Sequence, residues 1–138
     1  MSEITPEQDA VQTLVPYLEG LLGAYGDELN ESSRKRKTFF VFLFGGISGL
    51  AVQRALTIEQ AQAVAVSLFY QELAIPPMDG LHVVAFGVDA AAGDTPWTYA
   101  AQAGADDFLS WKADPSAYDP GALRAVLDRA PALGDQVV

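Results

Sequence analysis

Apolar residues return at steps of three and four along most of this chain, the spacing that lays one stripe along an α-helix. Val11, Leu14, Val15, Leu18, Leu21 and Leu22 form the first such stripe. Thr5-Pro6-Glu7-Gln8 precedes it as a start signal, with Thr5 at the N-cap, Pro6 in the first turn and Gln8 at the capping-box position. Pro16 falls inside the pattern and predicts a kink or a division, while Gly23 and Gly26 predict the end. A second helix is expected from Ser32 or Ser33 to about Ala55. A third is expected from the capping signature Thr57-Ile58-Glu59-Gln60 to near Leu73, where Ile75-Pro76-Pro77 stops it.

Leu81 to Ala92 carries both signals. Leu81, Val83, Val84, Phe86 and Val88 suit a strand, whereas Asp89-Ala90-Ala91-Ala92-Gly93 suits a helix closed by a glycine. No second strand-like run exists to pair with it, and a lone strand leaves its backbone groups unsatisfied, so the helix is preferred. Thr95-Pro96 opens a further helix to about Lys112, with Trp97, Ala101, Ala105, Phe108 and Leu109 on one stripe. Asp119-Pro120 opens a last short helix through about Arg129, in which Arg124 and Asp128 pair at four-residue spacing. The expectation is an all-α fold: one domain over residues 1–138, a bundle of about six helices with the second and third as a buried central hairpin.

Gly45-Gly46-Ile47-Ser48-Gly49 lies inside the second helix, where each glycine costs about 1 kcal/mol relative to alanine. No strand precedes it and no Gly-Lys-Ser/Thr follows, so it is not a phosphate-binding loop. Close helix packing is the reason favoured here, with Gly45 and Gly49 set against the smooth face of Ala61 and Ala65 on the third helix. Phe39 to Val52, preceded by Arg34-Lys35-Arg36-Lys37, has the flank of a membrane span. Its apolar run stops at Gln53 and Arg54 after 14 residues, short of the roughly 20 that spanning needs.

The composition narrows the chemistry. The chain has 138 residues, no cysteine and one histidine, which removes disulfides, thiolate zinc and cysteine nucleophiles. His82 has Asp79 and Asp89 near it, but no obvious nucleophile beyond Ser48 and Ser67 on neighbouring helices; an enzyme relying on His82 is the third-ranked reading. A ferritin-like di-iron site needs two Glu-x-x-His motifs, and Glu28 with Glu31 falls in a polar connection, so no metal or other cofactor is expected.

Eight basic against eighteen acidic side chains give a formal charge of -10, which argues against nucleic acid as a partner. Asp94, Asp106, Asp107 and Asp114 crowd the C-terminal half among Trp97, Trp111 and Tyr118, the mixture that suits an arginine- or lysine-rich protein surface. Asp106 and Asp107 are read as solvated. The leading expectation is a non-enzymatic acidic binding protein of a bacterial cytoplasm, of the inhibitor or immunity type, neutralising a basic toxin or enzyme. The alternative is a homo-oligomeric helical protein of structural role, whose glycine-lined helix packs across a two-fold axis. The N-terminus, acidic and without an apolar core, lacks the pattern of a signal peptide.

Overall fold

The computed structural model of the chain describes residues 4–93, 97–118 and 121–129. Helices α1 (Pro6–Glu31), α2 (Ser33–Gln53), α3 (Ile58–Leu73), α4 (Pro77–Ala92), α5 (Thr98–Ala113) and α6 (Gly121–Asp128) follow one another, with a 3-10 turn at Pro115–Ala117. No strand occurs among the described residues, and Leu81 to Ala92 is helical. All six helices contribute to one cluster of buried apolar side chains, and no described helix is long and apolar enough to cross a membrane.

The starts of α1 and α3 are set locally. Thr5 accepts from the backbone of Gln8 while the Gln8 side chain accepts from the Thr5 backbone, and Thr57 and Gln60 repeat the arrangement. Thr95-Pro96 and Asp119-Pro120, read as the starts of the next helices, lie outside the described residues.

Helix α1 is a correction to the pattern reading. It runs unbroken for 26 residues through Pro16, Gly23 and Gly26. Pro16 and Gln12, whose carbonyl loses its helical donor, are both exposed, so the missing bond falls on the solvent side of the helix. Beyond the glycines, Tyr25 and Leu29 are buried, and tertiary packing carries the helix past them.

Helix α2 is the centre of the bundle, with Phe39, Val41, Phe42, Leu43, Ile47 and Leu50 almost fully buried. It packs on α3, but its closest neighbour is α5, which runs parallel to it. Trp97 Nε1 donates to Thr38 Oγ1 at 3.1 Å at one end, and Lys112 Nζ to Gln53 Oε1 at 3.1 Å at the other. A methyl group built on Gly45 would overlap the Ala101 carbonyl, and one built on Gly104 would overlap the Phe42 carbonyl. The two glycines therefore admit each other's backbones, and Gly46 and Gly49 continue the contact along Phe108 and Ala105. The glycine face is occupied by α5, which corrects both its expected partner, Ala61 and Ala65 of α3, and its availability for a two-fold axis. Those two alanines are buried nonetheless.

Candidate functional site

The C-terminal acid-aromatic group divides into two places. Trp97 caps the start of α5, where its ring meets Phe86 edge-on at 4.9 Å between centroids. Lys37 lies over both rings, 4.1 Å from that of Phe86 and 4.9 Å from that of Trp97, and burial lowers its pKa. Trp111 is fourteen residues further along, about 20 Å away by helical rise. Asp94 lies outside the described residues.

Around Trp111 the arrangement is internal. Asp106 is exposed, but Asp107 is 6% exposed and turned inward, so the expected solvated pair is not formed. Tyr17 Oη donates to Asp107 Oδ2 at 2.7 Å, and Tyr118 Oη donates to the same oxygen. Burial, reinforced by the neighbouring carboxylate, pushes both phenols far above the ordinary tyrosine range. Tyr17 also packs edge-on against Phe108 at 5.2 Å and beside Trp111 at 5.4 Å. The site thus holds a buried carboxylate, one oxygen of which receives two of the protein's own hydroxyls. Asp114 is exposed and accepts from Ser116 at 2.8 Å, and Trp111 and Tyr118 are half-buried, leaving them as the rim of the group.

A second polar cluster ties three helices together. Arg124 donates through both nitrogens to the Glu28 carboxylate at 2.6 and 2.8 Å, and Lys35 donates to it at 2.7 Å. These hydrogen bonds hold the Glu28 carboxyl at about 2, below the usual range. Arg124 also meets Asp128 at 3.5 Å, the four-residue pair read from the sequence. Glu28 is therefore a structural ion-pair centre, while Glu31 is exposed.

Three more basic side chains are also turned to the protein itself. Arg54 pairs with Asp9 and reaches Thr13 at 2.9 Å, Arg36 donates to the Leu29 carbonyl at 3.4 Å, and Arg129 lies 4.4 Å over the Tyr99 ring. By contrast Glu19, Asp27, Glu31, Glu59, Asp79 and Asp106 are exposed carboxylates with no hydrogen bond or ion pair among the described residues.

A concave feature lies elsewhere. Helices α2, α3 and α4 enclose a groove of about 230 Å³ whose lining includes Phe44, Ser48, Val52, Leu56, Ile58 and Val88. Val52 and Ile58 are 81% and 72% exposed at its mouth. No titratable side chain lines it, so it can receive an apolar group but supplies no acid, base or nucleophile other than the Ser48 and Thr57 hydroxyls. His82 is exposed on α4 and does not line the groove, and Ser67 is exposed on α3. Among the described residues no three His, Asp or Glu side chains gather to hold a metal ion. The groove is not legible in the sequence because its lining comes from three helices that only tertiary packing brings together. No protein-family model, no curated protein and no solved structure matches this chain.

Proposed function

We propose that the protein is a non-enzymatic acidic binding protein whose partner presents a basic surface, of the kind that inhibits or neutralises a basic toxin or enzyme. The observation that carries this reading is the division of charge. Lys35, Lys37, Arg54, Arg124 and Arg129 are held by carboxylates and rings of the chain itself, while Glu19, Asp27, Glu31, Glu59, Asp79 and Asp106 stand exposed with no hydrogen bond or ion pair among the described residues. The field outside the molecule is therefore dominated by the negative groups of a chain with charge -10, which steers a cationic surface toward it. Asp106 and Asp114, beside the half-buried Trp111 and Tyr118, combine charge with aromatic area in the way protein contacts use them.

The test is capture from native lysate by the tagged chain, washed at low and then high salt, beside a variant carrying Asp106→Lys and Asp114→Lys. The expected result is one basic protein, held at low salt, weakened at high salt and lost by the variant. Equal retention by the variant, or capture insensitive to salt, sinks the proposal.

A further inference from the structure

Helix α4 is apolar on two sides. Its inner side packs on α2 and α3: the Phe44 ring lies directly on Gly87, and Gly80 meets Val66. Its outer side carries Met78, Leu81, Ala85 and Ala92, with Val88 standing between this side and the groove, the five spaced three, four, three and four residues apart. That is the spacing of a seam between paired helices. Met78 is 72% exposed and Leu81 53%, Ala85 and Ala92 are exposed, and Val88 is half-buried. Beside it, Ala63, Val66 and Tyr70 of α3 extend the uncharged face as far as the exposed Glu59, one turn before Ala63, with Tyr70 58% exposed.

We propose that this outer seam pairs with the same seam of a second copy, antiparallel, about a two-fold axis at Ala85. Two copies of a chain with charge -10 repel one another in general, and this seam contains no charged residue. Its edge supplies the complementarity. His82 and Asp89 flank the seam on the side away from α3, both exposed and both without a hydrogen bond or ion pair within the described chain. With the axis at Ala85, His82 lies three residues before it, and Asp89 of the second copy lies four beyond it. They stand level to within one residue's rise, about 1.5 Å. Symmetry makes the pair twice. A parallel arrangement would instead set His82 and Asp89 against the inner edge of the other helix, where Val84 and Ala91 stand, and would gain no charge pair. The small Ala85 at the axis lets the backbones approach.

The face is about 24 Å long by about 20 Å wide, two helices side by side, or roughly 480 Å² in projection. That is below the roughly 800 Å² per partner of a standard interface. The dimer is accordingly one that dissociates on dilution.

Sedimentation of the purified full chain from low micromolar to near-millimolar concentration tests this without any other partner, so its outcome is separate from that of the proposed basic target. Wild type should pass from monomer to dimer and no further. Ala85→Glu, which sets two carboxylates at the axis on an exposed helix position, should stay monomeric with unchanged helical circular dichroism; Leu81→Gln gives the same reading if that variant fails to fold. Asp89→Arg should raise the dimer dissociation constant about tenfold or more, and exchanging the two residues (His82→Asp with Asp89→His) should restore it. A wild type that is monomeric throughout, or a dimer that survives Ala85→Glu or Leu81→Gln, overturns the proposal.

Discussion

Tyr17 of α1 and Asp107 of α5, ninety residues apart in sequence, share a buried hydrogen bond of 2.7 Å that joins the first helix to the fifth. The carboxylate oxygen that receives it also receives Tyr118, so one acceptor fixes both α1 and the segment after α5. A buried charged acceptor is costly once it loses a donor, which makes this a structural clamp. Tyr17→Phe should destabilise the fold by about 1–3 kcal/mol in urea denaturation. Asp107→Lys should cost about 3–5 kcal/mol or prevent folding, because it places an unpaired cation among aromatic rings. Asp106→Lys, one residue away but exposed, should leave the midpoint nearly unchanged. Similar losses at 106 and 107 would show that the clamp does not act as described.

The same clamp predicts an alkaline limit. Tyr17 and Tyr118 hold their protons in the folded protein far above the ordinary tyrosine range, by burial first and Asp107 second, whereas in the unfolded chain they release them near pH 10. Above about pH 10 the unfolded state therefore binds fewer protons, and stability falls as pH rises. Below that value this contribution is fully present. Absorbance titration should show the tyrosinate signal of these two side chains appearing only together with loss of helical circular dichroism. Tyrosinate formation from both in a still-folded protein would contradict it.

The glycines separate into two kinds with opposite expected effects. Gly45→Ala and Gly104→Ala drive a methyl group into a backbone carbonyl of the facing helix, and each should cost about 3 kcal/mol or force α2 and α5 apart. Gly20→Ala and Gly23→Ala meet nothing within 4 Å on an exposed helix face, and each should gain up to about 1 kcal/mol from the stiffer unfolded chain. Thermal unfolding of the four single variants decides the matter. A gain at position 45 or 104 would mean the close approach is not required.

These contrasts mark what can be read without coordinates. The capping boxes at Thr5 and Thr57 are chemically local, and both were legible three residues at a time. So was the helical state of Leu81 to Ala92, through the lack of a second strand for it to pair with. The unusual glycine content of α2 announced a close approach, but not whether α3 or α5 makes it, since small residues occur on both. Tyr17, Tyr118 and Asp107 meet only through tertiary packing, so Asp107 read as a twin of Asp106. Gly23 and Gly26 read as stops because helix propensity was weighed without the burial of Tyr25 and Leu29. The same limit hid the division of charge: the formal total is visible in the sequence, but not that Glu28 gathers Lys35 and Arg124.

Glu28 sets the acid limb of stability. The Arg124 and Lys35 hydrogen bonds hold its carboxyl at about 2 in the folded protein, against an ordinary value of 4.5. Between those values the unfolded chain binds the proton and the folded one does not, so stability rises with pH across the window. The contribution is present above about pH 4.5 and is lost as pH falls through about 2. Glu28→Gln removes the titrating group and the charge on which Arg124 and Lys35 converge. It should lower the urea midpoint at pH 6, and the gap between variant and wild type should narrow steadily on acidification. Added salt should narrow the gap at pH 6 as well, since these side chains are open enough to solvent for screening to reach them. A gap that stays constant from pH 6 to the acid limit would place the role of Glu28 in shape and packing, with no share for its charge.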